Sequence, residues 1–65
     1  MKNNIRKHRK DLDITLRELS YVSGISIGYL SDLENGNSDP SLEYACKIGR
    51  ALNQEILDIF EPNKT

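Results

Sequence analysis

Apolar positions recur along this chain at helical spacing, and turn-forming residues divide them into five segments with no convincing strand. The first helix is expected over about residues 4–12, where Ile5 and Leu12 lie two turns apart on one face and basic residues fill the others. The second is expected over 16–23. Thr15 and Glu18 make a Thr-x-x-Glu capping box, Ile14 before the cap can staple onto Leu19, and Gly24 supplies a left-handed stop. The arrangement repeats at once: Ser26 caps a third helix over 27–35, with Ile25 before the cap, Leu30 four residues after it, Leu33 on the same face as Leu30, and Asn35-Gly36 as the end signal. Residues 37–40, Asn-Ser-Asp-Pro, form a turn. A fourth helix over 41–52 follows, capped by Ser41 or by Asp39 with Pro40 in its first turn. Its stripe is Leu42, Ala45, Ile48, Gly49 and Leu52. A short fifth helix over 55–60 carries Ile56, Ile59 and Phe60, with Pro62 to end it.

The pattern therefore predicts an all-α fold, a compact five-helix domain spanning residues 1–65. At 65 residues, 37% of them apolar, the chain supports one core and leaves no room for an effector domain. Cys46 is the only cysteine, so neither an internal disulfide nor a thiolate metal cluster can form. The basic residues Lys2, Arg6, Lys7 and Lys10 leave no apolar leader at the start, and no apolar run approaches the length of a membrane span. A cytoplasmic protein without membrane contact is expected.

Charge changes the picture more than composition does. The formal net charge is −1, yet residues 1–17 hold six basic side chains (Lys2, Arg6, Lys7, Arg9, Lys10, Arg17) against Asp11 and Asp13, while residues 18–65 hold three against eight acids. A basic front is what a polyanion would meet first, although a solvated helix face would look the same.

The informative constellation is the pair of segments two and three. Two capped helices joined by a tight glycine turn cross roughly at right angles. Ser20 is small where the two would pass close together, and Leu19, Ile25, Leu30 and Leu33 are apolar where the pair must meet a core. The leading end of the third helix then projects outward, in the form that enters a DNA major groove. No nucleophile–base pair, metal cluster or phosphate-cradling loop accompanies it, so an enzyme is not expected and no cofactor or small-molecule ligand is evident. His8 reads as a surface residue, Cys46 as a small core or boundary residue, and Tyr21 and Tyr44 as boundary packing.

The run Thr15-Leu16-Arg17-Glu18-Leu19-Ser20 through Gly24, then Ile25-Ser26 and Tyr29-Leu30 to Leu33-Glu34-Asn35-Gly36, followed by Pro40-Ser41-Leu42, resembles the phage-repressor/Cro family, the xenobiotic-response-element-type helix-turn-helix domains. The likeness covers about residues 4 to 60. It implies a lambda-repressor-like fold with the helix-turn-helix in helices two and three, and a bacterial or phage transcription regulator that binds double-stranded DNA sequence-specifically, as a repressor. By the same resemblance the third helix reads the bases, with Ser26, Ile27, Gly28 and Tyr29 at its groove-facing start and Ser31 and Asp32 one turn later. Leu16 and Arg17 would lie near the phosphate backbone, as would Asn35, Asn37 and Ser38 beyond the recognition helix and the basic Arg6 and Lys10 of the first helix. Arg9 and Glu34 occupy positions that often form an internal ion pair tying the first helix to the third.

The chain departs from the family pattern in three ways. Leu16 stands where Gln is common. The segment Ser26–Asn35 offers no Arg, Lys, Gln or in-groove Asn, so reading would fall to hydroxyls and to apolar contact with thymine methyls. Asp32 could accept from cytosine N4 but would repel phosphates. Leu57, where the family tends to carry an acid, and Phe60 are expected to form an exposed apolar patch through which a homodimer spans a near-palindromic operator. The competing readings are a protein-interaction module, or an antitoxin or restriction-control protein, keeping the fold with weak DNA binding.

Overall fold

The computed structural model describes residues 2–60. Its elements are α1 (Ile5–Asp11), α2 (Leu16–Ser23), α3 (Ile27–Glu34), α4 (Leu42–Leu52) and α5 (Ile56–Ile59). Among the described residues the sole β-type pairing is an isolated antiparallel bridge between Asn3 and Phe60.

The caps form as their residue types dictate. Thr15 Oγ1 accepts from Glu18 N at 3.0 Å, and Thr15 N donates to Glu18 Oε1 at 2.8 Å, which closes the capping box on α2. Ser26 accepts from Tyr29 N at 3.3 Å and Ser41 from Tyr44 N at 3.2 Å, so Ser41 rather than Asp39 caps α4. Gly24 ends α2 at φ 75°, a backbone state that would strain a residue with a Cβ. The serines on either side of the turn knit it: Ser20 Oγ donates to Ile25 O, and Ser23 Oγ accepts from Ile25 N at 3.2 Å. The α2–α3 corner is thus held by side chain to backbone bonds as well as by packing.

The core gathers one to three residues from every helix (Ile5, Leu19, Leu30, Leu33, Ala45, Ile48, Leu52 and Ile59), with Ile25 from the α2–α3 turn and Phe60 from just after α5. Helix α4 packs against α2 and α5, and α2 against α3. Gly49 lets the chain fold back on itself. A Cβ there would meet Gln54 O at 2.9 Å, in the turn whose Gln54 N donates to Gly49 O. The two ends of the described chain are joined by Asn4 N donating to Ile59 O at 2.7 Å, and Asn3 Nδ2 donates to Leu33 O at 2.6 Å.

Four sequence expectations are corrected. Phe60 does not join an exposed patch. It is 3% exposed, because the chain leaves α5 in extended form at Phe60 and pairs with Asn3, turning the ring into the core. Leu12 is half exposed, since α1 stops at Asp11 and the chain turns away through Asp13 at φ 58°. Leu42 follows the α4 stripe in spacing but opens the helix in its first turn, short of the buried run from Ala45 to Leu52, and is 75% exposed. Tyr21 is not boundary packing: at 90% exposure it stands on the outer face of α2. The helix stop expected at Pro62 lies outside the described residues.

Candidate nucleic-acid interface

Helix α3 has two unlike faces. Leu30 and Leu33 are completely buried, which fixes the rotation of the helix about its axis. Ser26, Ile27, Gly28 and Asp32 are exposed on the opposite side and Ser31 is half-buried. Ile27, a β-branched apolar residue in the first turn, keeps 44% of its surface in solvent. Tyr29 departs from its expected place at the front. It packs against the core, its ring lies 5.1 Å from that of Tyr44, and its hydroxyl donates to Asp39 O at 3.4 Å. These contacts draw it toward the α3–α4 loop and leave Ser26, Ile27 and Gly28 as the leading edge. Lys47 Nζ sits 5.5 Å from the centre of the Tyr44 ring and 3.5 Å from Glu43, so this aromatic pair also carries a cation.

The flanking residues divide in the same way. Arg17, Lys10, Asn35 and Asn37 are exposed, and Ser38 is half-buried. Leu16 packs its side chain against the core, so it brings only backbone to the α2 N-terminus. Arg6, expected as a phosphate contact, is already engaged: its Nε donates to Glu34 Oε2 at 2.8 Å and its Nη2 to Asn35 Oδ1 at 3.3 Å. Its guanidinium still faces solvent on one side.

Behind α3, Arg9 grips Glu34 with two bonds, Nε to Oε1 and Nη2 to Oε2, both 3.1 Å, and its Nη1 donates to Ile14 O at 3.0 Å. One guanidinium thus links α1, the α1–α2 turn and the end of α3. Spacing puts Arg6 and Arg9 on one face of α1, three residues apart, but carries no trace that the end of α3 lies against that face and brings Glu34 to both. Burial pushes the Glu34 carboxyl upward. Hydrogen bonds from Arg9 and then Arg6, together with their charges, outweigh it and hold the group below its ordinary value.

His8 Nε2 lies 3.2 Å from Asp58 O, a contact that ties α1 to α5. Among the described residues no group of three or more His, Cys, Asp or Glu side chains could hold a metal ion, and no helix is long and apolar enough to cross a membrane.

Comparison with known proteins agrees with this geometry. A helix-turn-helix family model matches residues 5–59. An uncharacterized HTH-type transcriptional regulator of Methanothermobacter thermautotrophicus is 44% identical over 61 residues, covering 92% of this chain and 88% of the relative. The HTH-type transcriptional regulator SlrR of Bacillus subtilis is 33% identical over 58 residues, and there the chain spans only 38% of the relative's length. Among solved structures, the restriction-modification controller protein C.AhdI of Aeromonas hydrophila superposes with a TM-score of 0.82 at 26% identity, covering 88% of this chain and 86% of that one. The clp gene regulator ClgR of Corynebacterium glutamicum gives 0.77 at 41% identity, over 83% and 57% of the two chains. The chain belongs to the helix-turn-helix family of DNA-binding transcriptional regulators, of the Cro and phage-repressor type.

Proposed function

We propose that this chain is a repressor that places the first turn of α3 in the major groove of a near-palindromic operator, two copies binding together in the cytoplasm. The observation that carries the reading is the two-sided character of α3. Leu30 and Leu33 anchor one face completely, and Ser26, Ile27, Gly28 and Asp32 stand free on the other. Hydroxyls at Ser26 and Ser31 can bond base edges, Ile27 can meet a thymine methyl, and Asp32 can accept from cytosine N4. Arg17 and Lys10 supply phosphate contacts, with Asn35, Asn37 and Ser38 beside the far end of the helix.

The test is a gel shift with the DNA immediately upstream of the chain's own gene, against unrelated duplex. Specific retention that weakens steeply with salt is the expected result. Arg17→Ala should weaken binding on every sequence and reduce the salt slope by about one, whereas Ile27→Ala should weaken the specific site alone, by about tenfold. Equal retention of both duplexes by the native chain would remove the reading.

For the second copy, Leu57 is 73% exposed and Leu42 75% exposed, at the two rims of an apolar groove also lined by Pro40, Ala45, Ile56 and the edge of Phe60. One domain reads a short half-site, and two half-sites one turn of DNA apart, about 34 Å, add their binding energies. Leu57→Glu places a charge on the rim of that groove, and sedimentation should then show a monomer where the native chain sediments as a dimer on operator DNA. The likeness to C.AhdI favours one particular form of this role, control of restriction-modification genes, which a promoter-binding assay on such genes would test.

A further inference from the structure

Gly28 sits in the first turn of α3, in the middle of the exposed edge, and nothing in the fold requires a glycine there. The glycines with positive φ are Gly24 and Gly36, and among the described residues a Cβ built on Gly28 meets no atom within 4 Å beyond its chain neighbours and its own helix backbone. Gly49, by contrast, has a backbone oxygen at 2.9 Å from such a Cβ. Inside a helix, glycine is less favourable than alanine because it gives up more backbone freedom. A residue that weakens its helix and relieves no contact within the chain is accounted for by what approaches from outside.

We propose that Gly28 is a specificity-determining position, a notch that receives the 5-methyl group of one thymine of the target site. This rests on the proposed DNA-reading role of α3. The chemistry of the position selects the group. Gly28 has no side chain with which to donate or accept, so apart from its backbone N–H its outer surface offers van der Waals contact, and it is flanked by the exposed Ile27. The thymine methyl is the apolar projection that a base pair presents in the major groove. A Cβ would stand in the open space into which that methyl fits.

The test begins by selecting a binding site for the native chain from a pool of randomised duplexes, then measuring Gly28→Ala on that site. The variant should melt about 3 °C higher than the native chain, since the helix improves, and should bind at least tenfold more weakly. Replacing one particular thymine by deoxyuridine, which deletes only the methyl, should restore the variant to within about threefold of native binding. Deoxyuridine at the other positions should not restore it. If Gly28→Ala binds the selected site as tightly as the native chain, or if no single deoxyuridine restores it, the notch is overturned while DNA reading by α3 stands. If the native chain enriches no site at all, both fall together. A lower melting temperature for Gly28→Ala would overturn the premise that the fold does not need the glycine.

Discussion

Replacing Glu34 by alanine should lower stability by about 3 kcal/mol, the loss expected when one partner of a largely buried ion pair is removed and the other is left behind. Glu34 is 6% exposed at its side chain and Arg9 14%, and both oxygens of the carboxylate are used. For a domain of this size each kcal/mol moves the melting temperature by roughly 4–8 °C. Thermal melting followed by circular dichroism should therefore show a fall of about 15 °C, and an unchanged melting temperature would mean that the pair contributes nothing. The same residue sets a pH dependence. The carboxyl is held below its ordinary value of 4.5, so the folded state favours the ionised form. That contribution is fully present above the ordinary value and is lost as pH falls through the lower, folded one. The native chain should lose melting temperature below about pH 4, and Glu34→Gln, which cannot titrate, should lose less over the same interval.

Leu30→Ala should cost about 3 kcal/mol as well, but through a different cause. Leu30 is completely buried on the inner face of α3, and truncation removes its contacts and leaves a void that the neighbouring helices fill only in part. A chain of 65 residues has roughly 3–10 kcal/mol of total stability, so this variant should be substantially unfolded at moderate temperature. Urea titration would show its midpoint displaced without a change in slope. On the proposed reading of α3, operator binding should weaken by more than the loss of folded chain explains, because Leu30 and Leu33 set the rotation of that helix. If the folded fraction alone accounts for the binding loss, that orienting role is absent.

The two variants separate the supports of one helix. The ion pair holds the carboxyl-terminal end of α3 to α1, and the leucines hold its flank to the core. Between them they leave the amino-terminal turn, Ser26 to Gly28, exposed.

Much of the architecture was legible in local chemistry. Thr15, Ser26 and Ser41 each cap the helix that follows, Gly24 ends α2, and the expected helix limits agree with the observed ones to within two residues. Capping depends on residues three positions apart, which is why order along the chain suffices to read it. The resemblance around Leu33-Glu34-Asn35-Gly36 extended the reading to the partnership of Arg9 with Glu34, which no local rule supplies.

What lay beyond reach involved residues distant in sequence. Phe60 is buried because Asn3 pairs with it, Tyr29 is drawn aside by Tyr44 and Asp39, and Arg6 is taken up by Glu34 and Asn35. Leu42 and Tyr21 are exposed because none of the described helices covers them. Spacing tells which side chains share a face of a helix, but not whether another element lies against that face. The amino-acid order by itself thus determined the five helices, their ends and the corner between α2 and α3. Only the tertiary structure decided which surfaces remain in water, because burial is a property of pairs of elements, and their approach is set by the packing of the whole core.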